Sequence, residues 1–168
     1  MRTSGEAALV QNFFRGFFQF GYVTRDVEAA IAAFCSNFGA VEFMVNDPPA
    51  IDGQPARTRR IALAWIDDVM TEIIEPDPMQ KTIYDDHLPA AVGPIRLHHF
   101  GYLIDDHQAM LGRLRGMGYD VPMAGSMAGA LDYSYADTRR DLGIWSEFIR
   151  LDEGGKAFFG AVPRTTTK

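Results

Sequence analysis

The sequence predicts an α+β fold built from two copies of one βαβββ module, and two observations carry that expectation. The first is an internal echo: Gln19-Phe20-Gly21-Tyr22-Val23 returns as His99-Phe100-Gly101-Tyr102-Leu103, eighty positions later. The second is a change of hydrophobic period that runs in the same order through both halves, from strand to helix to three strands.

Each copy of the echo is followed by an aspartate, Asp26 or Asp106, placed to accept a hydrogen bond from the free amides of a helix's first turn. The helices expected next, Val27 to Phe38 and His107 to Met117, carry apolar residues at helical spacing: Val27, Ile31, Phe34 and Phe38 in one, Met110, Leu111 and Leu114 in the other. Gly39 and Gly118 close them. Three strands follow each helix: 41–45, 59–66 and 70–75, then 119–123, 131–136 and 144–151, with Asp67-Asp68 suiting a tight turn.

The expected organisation is a first module with an N-terminal extension over residues 1–80, a connector over 81–96, and a second module with a C-terminal tail over 97–168. Four prolines between Pro76 and Pro94 mark the connecting region. Two long loops are expected, Asn46 to Ala56 with three prolines and Met123 to Ala130 rich in Gly, Ala and Met. A second echo, Thr58-Arg59-Arg60 with Trp65 against Thr138-Arg139-Arg140 with Trp145, reads as chance. Its register pairs Glu72 with Asp152, whereas matching the strand ends pairs Glu72 with Glu147.

Composition narrows the function classes. Of 168 residues, 47% are hydrophobic and 23% charged, which is globular and too apolar for disorder. A net charge of −6 leaves no basic surplus for nucleic acid, and no apolar run approaches a membrane span. The start, Met1 to Ala8, lacks the order of a secretory signal, and the one cysteine, Cys35, forms no internal disulfide. A cytoplasmic setting is the resulting expectation.

The chemistry sits in the echo and at the strand ends. Alternation places Gln19, Gly21 and Val23 on one face of their strand, and it sends His98 and His99 to opposite faces, so that one of the two enters the interior. The repeat gives that position to His99. Glu72 and Glu147 each stand in an apolar, aromatic strand that closes a module, where a bare carboxylate is costly. A divalent cation would compensate both. One imidazole, two carboxylates and one amide oxygen suit Zn, Ni, Co, Mn or Fe(II), and the absence of thiolates sets the group apart from structural zinc sites.

These residues resemble the vicinal oxygen chelate superfamily, which includes glyoxalase I, methylmalonyl-CoA epimerase, extradiol dioxygenases and bleomycin- or fosfomycin-resistance proteins. The resemblance runs from Phe17 to Leu151. It rests on the paired modules, on His98-His99-Phe100-Gly101-Tyr102-Leu103-Ile104-Asp105-Asp106, and on Thr71-Glu72-Ile73-Ile74-Glu75-Pro76. It implies an open, barrel-like cleft, a metal held by Gln19, Glu72, His99 and Glu147, and a homodimer.

The order Gln, Glu, His, Glu is similar to that of zinc-type glyoxalase I. Val23 and Ile73-Ile74-Glu75-Pro76 replace that enzyme's glutathione-associated Arg and Thr-His-Asn. The Glu-Ile-Ile-Glu-Pro ending looks more like the epimerases, whose additional acidic residue has no counterpart near Pro55.

The implied activity is a metal-dependent isomerase, epimerase or lyase working through an enediolate on a small substrate with vicinal oxygens. Glu147 is the expected base and Glu72 the second candidate. Arg59, Tyr22, Tyr102 and Arg139 are the expected substrate contacts. A metal-free, sequestering protein of the bleomycin-resistance type is the alternative. Extradiol dioxygenation is weaker, because Gln19 stands where that chemistry needs a histidine.

Overall fold

A computed structural model describes residues 13–39, 41–48 and 56–165. The elements are β1 (Phe17–Val23), α1 (Val27–Phe38), β2 (Met44–Asn46), β3 (Thr58–Ile66), β4 (Val69–Pro76), a 3-10 turn (Asp85–His87), β5 (Arg96–Leu103), α2 (His107–Gly116), β6 (Met123–Met127), β7 (Leu131–Ala136), α3 (Arg139–Leu142), β8 (Trp145–Leu151), α4 (Glu153–Ala161) and β9 (Arg164–Thr165). They form one mixed sheet in the order β2-β3-β4-β1-β5-β8-β7-β6, with β9 beside β3. The sheet curls into a half-barrel, the glyoxalase-like α+β architecture.

Strand direction follows from the connections. β1 and β4 are parallel, as are β5 and β8, because a helix crosses over between the first strand of each set and the last. β1 and β5 meet antiparallel at the centre and join the two sets. Asp26 and Asp106 cap α1 and α2 by accepting from Ala29 N at 3.0 Å and Ala109 N at 2.9 Å. Asp67, in the β3–β4 turn, has a φ of 51°, a left-handed conformation that Asp tolerates better than most residues.

Two apolar clusters lie under the helices. Val27 and Ala30 of α1 pack on Ala62 and Ile73 of the sheet, and Leu114 of α2 packs with Tyr102, Ala136 and Phe148. Burial of a side chain the size of Leu114 contributes about 1.5–3 kcal/mol. Two further clusters, one around Phe18, Leu63, Met70 and Phe159 and one around Ile74, Tyr84, Met123 and Tyr135, line the opposite face of the sheet. Among the described residues no helix is long and apolar enough to cross a membrane.

Several expectations change. β2 is Met44–Asn46 rather than 41–45, and the strand expected at 119–123 begins at Met123 and runs to Met127, inside the segment expected as a loop. Small residues there look irregular by composition, yet β6 pairs with β7 over five positions, and long-range backbone pairing decides a strand's fate over its propensity. The C-terminal tail contains α4 and β9, which cross to the first half. Trp65 Nε1 donates to Phe159 O at 3.0 Å, and β9 pairs with the end of β3. The Asn46–Ala56 loop lies largely outside the described residues, as do Met1 to Ala8 and the surroundings of Pro55.

Candidate metal centre

Register alone aligns the four candidate ligands. Glu72 on β4, Gly21 on β1 and His99 on β5 are successive partners across the sheet. Gln19 on β1, Gly101 on β5 and Glu147 on β8 form a second such row. Partners in a row point to the same face, and here that face is concave. Glu72 and Glu147 therefore occupy equivalent places in the two halves, as strand-end matching expects, and the Thr-Arg-Arg echo corresponds to nothing in the fold. Arg60 pairs with Glu28, whereas Arg140 donates to the carbonyls of Met117 and Gly118 at the end of α2.

The ligand atoms converge. One atom each from Glu72, His99 and Glu147 lies within 4.8 Å of the others, the spacing a shared ion requires. His99 Nε2 is 3.1 Å from Glu72 Oε2 and 3.3 Å from Glu147 Oε2. None of these three atoms, nor Gln19 Oε1, makes a hydrogen bond of sound geometry, and all four are buried. Buried polar atoms are almost always paired. Four such atoms at a single locus, without well-formed hydrogen bonds, fit a shared cation, and the mixed N and O donor set suits a divalent transition metal.

Electrostatics agree with a strongly coupled site. Burial raises the Glu72 pKa, and Glu147 reinforces that shift against the opposing pull of His99. Burial pulls the His99 pKa down, but close contact with the negative Glu147 and Glu72 carboxylates outweighs it and holds the imidazole at about 9. The expectation that His98 and His99 face opposite sides is overturned. The β1–β5 register slips by one residue between Gly21 and Tyr22, making His98 an extra residue on β5. Both rings are buried on the same side, with Nδ1 atoms 3.1 Å apart. Burial first, and then His99, lowers the His98 pKa to about 2, so that His98 is neutral.

Gln19, Glu72 and Glu147 line a cleft of about 380 Å³, and His99 is buried directly behind the two carboxylates. The cleft walls are mostly apolar, from Ile61, Leu63, Met123, Met127, Leu131 and Phe159, with Tyr84 and Tyr135 beside the carboxylates. Tyr135 is the β7 partner of Glu147. Burial raises the pKa of both tyrosines well above the ordinary phenol value, so both hydroxyls stay protonated.

The four expected substrate contacts do not line this cleft. Tyr102 stacks on Phe148 beneath α2, and Tyr22 sits beside Ile73 on the α1 side, because alternation turns both away from Gln19 and His99. Arg59 is 3.1 Å from Glu75 and largely exposed. Arg139 is 2.6 Å from Asp137 and lies 4.4 Å over the Trp145 ring. Glu75 points away from the cleft as well, and accepts from Val27 N at 3.0 Å at the start of α1.

Neither the repeat nor the family resemblance assigns Tyr84, Tyr135 or His98 to the site. For Tyr135 a signal existed, since alternation puts it on one face with Leu131 and Tyr133, but which face depends on register with β8.

Solved structures share this fold. The hypothetical protein BH1468 from Bacillus halodurans C-125 is 13% identical with a TM-score of 0.60, covering 82% of this chain and 94% of its own. Methylmalonyl-CoA epimerase from Mycobacterium tuberculosis is 18% identical with a TM-score of 0.55, covering 84% and 91%. The Streptomyces coelicolor methylmalonyl-CoA epimerase in complex with 2-nitronate-propionyl-CoA is 16% identical with a TM-score of 0.57, covering 82% and 97%. At these identities the likeness shows the fold alone. No curated protein matches the chain by sequence. The model of the glyoxalase/bleomycin resistance protein/dioxygenase superfamily matches residues 18–136, most of the chain, and the protein belongs to that superfamily.

Proposed function

We propose that this protein is a metal-dependent isomerase or epimerase that moves a proton at a carbon beside a carbonyl, on a small substrate with neighbouring oxygens. The observation that carries the reading is the convergence of Gln19 Oε1, Glu72 Oε2, His99 Nε2 and Glu147 Oε2, all buried and none in a well-formed hydrogen bond, at the base of an apolar cleft lined by Gln19, Glu72 and Glu147. Glu72, His99 and Glu147, with Gln19 as the fourth donor, would hold a divalent ion. The chemistry a divalent cation supplies in such a site is Lewis-acid stabilisation of negative charge on substrate oxygens when the adjacent C–H ionises.

The chain supplies the rest. Glu147 takes the proton and returns it, with Glu72 as the second candidate. Tyr84 and Tyr135 hydrogen-bond one another and stay protonated, so that the pair offers a substrate oxygen one hydroxyl donor. The apolar walls exclude water, so that charge interactions at the floor are stronger than in solution. Epimerases among the structures of the same fold direct the first substrate screen to acyl-CoA thioesters, followed by 2-oxo and 2-hydroxy acids.

A second reading rests on one observation. His99, held protonated between two carboxylates, partly balances the floor's charge without an ion, and the aromatic and apolar walls then suit an uncharged ligand. On that reading the protein sequesters a small aromatic molecule.

Elemental mass spectrometry on purified wild type, His99→Ala and Glu147→Ala separates the two. Near-stoichiometric metal in wild type, lost in both variants, supports the enzyme. No metal, with no thermal stabilisation on adding Zn, Ni, Co, Mn or Fe(II), overturns it and leaves the binding reading.

A further inference from the structure

His98 is fully buried, and both of its ring nitrogens have partners. Nε2 lies 3.2 Å from the Ile83 carbonyl, and Nδ1 lies 3.1 Å from His99 Nδ1. A carbonyl only accepts, so His98 Nε2 carries the proton that bonds it. In a neutral ring Nδ1 then has the lone pair. The proton between the two rings belongs to His99 Nδ1, which leaves His99 Nε2 as the atom facing Glu72 and Glu147. We propose that His98 is a positioning residue: anchored on Ile83, it accepts from His99 Nδ1 and so fixes the tautomer and ring orientation that aim His99 Nε2 at the ion.

The fold contains its own control. The β1–β5 pairing slips by one residue twice, once on each strand, and the extra residues are Phe18 and His98. Each precedes the ligand position of its half, Gln19 or His99. Both are buried, but Phe18 packs against Trp65 and Phe159 and offers no hydrogen bond. An amide ligand such as Gln19 has no tautomer to select, whereas an imidazole does. The polar backing residue occurs only behind the imidazole.

The surroundings of His98 also hold it still. Its ring stacks on Trp145 at 5.9 Å with a 16° interplanar angle, and Tyr84 and His87 approach at 4.9 and 5.0 Å. The connector between the two halves, which supplies Ile83 and Tyr84, thereby becomes part of the site's support. Partners behind a metal-bound histidine commonly change metal affinity by about 10–100-fold.

The proposal rests on the metal-centre reading for its consequence but not for its hydrogen bond, and the experiment separates the two. In protein labelled with 15N-histidine, NMR of the metal-free wild type is expected to show a 15N–15N coupling across the hydrogen bond joining His99 Nδ1 and His98 Nδ1. Absence of that coupling, or a His99 ring protonated at Nε2 alone, overturns the proposal whether or not metal binds. Titration with Co(II) is expected to show a loss of about 10–100-fold in affinity for His98→Phe, which keeps the aromatic shape, and recovery to within a few-fold for His98→Asn, which keeps an acceptor near Nδ1. A His98→Phe variant that folds and binds Co(II) like wild type overturns the proposal. If that variant fails to fold, the coupling and the His98→Asn affinity decide. Wild type that shows the coupling yet takes up no Co(II) sinks the metal centre while leaving the hydrogen-bond assignment in place.

Discussion

Gly21 and His99 are partners across β1 and β5, and the His99 ring occupies the space that a Cβ at residue 21 would need. The same holds in the other half, where the Gln19 side chain fills the place of a Cβ at Gly101. Glycine in a strand interior is unfavourable by itself, and it marks a place where something approaches closely. Here the approaching groups are two candidate ligands. This accounts for the glycine at the centre of each copy of the echo.

Gly21→Ala should therefore displace the His99 ring while leaving the strand backbone able to form. The expected outcome is at least a tenfold loss of Co(II) or Zn(II) affinity, and a loss for Gly101→Ala as well, since a Cβ there would meet Gln19 Cβ at 2.8 Å. Titration beside a circular dichroism spectrum checks it. Wild-type affinity in Gly21→Ala would show that His99 does not bind from the position it holds here.

Glu147→Gln keeps size and hydrogen-bonding capacity but removes the base. Solvent-deuterium exchange at the substrate carbon, followed by NMR on the acyl-CoA and 2-oxo acid panel, should fall by about 10²–10⁴-fold. Glu72→Gln losing exchange while Glu147→Gln retains it would reverse the two roles.

Proton linkage gives a pH dependence with a definite sign. The His99 pKa stands at about 9 in the metal-free protein against 6.5 ordinarily, a raised value. Its stabilising contribution is therefore fully present below pH 6.5 and lost as pH rises through about 9. An ion must displace the Nε2 proton, so metal affinity should rise with pH and level off above about 9. Calorimetry near pH 7.5 in two buffers of different ionisation enthalpy should report release of about one proton per ion. Binding with no proton released would mean that His99 is not a ligand.

Tyr135→Phe and Tyr84→Phe remove hydroxyls beside the carboxylates, whereas Tyr102→Phe and Arg139→Ala alter residues outside the cleft. The first two should weaken binding of a cleft ligand several-fold, about 0.5–1.5 kcal/mol per lost hydrogen bond. The last two should leave it unchanged. Isothermal titration with any ligand found in the screen decides, and equal effects from all four would contradict the placement of the cleft.

By itself the sequence determined the element order in outline, both helix caps, and the equivalence of Gln19 with His99 and of Glu72 with Glu147. All of these rest on local periodicity or on repetition, which a single chain displays. It also predicted the curled, paired-module fold through its resemblance to the superfamily. Tertiary structure alone decided the rest.

Tyr22 and Tyr102 share the echo with the candidate ligands, but strand alternation turns them to the helix side. The Met123–Met127 strand exists because β7 is there to pair with it. α4 and β9 close the cleft only because they reach β3 across the molecule. His98 joins His99 because the register with β1 slips by one residue, and a slip is a property of two strands together. Which residues share a strand face is written locally; which face meets the cleft, and what stands opposite, depends on partners distant in sequence.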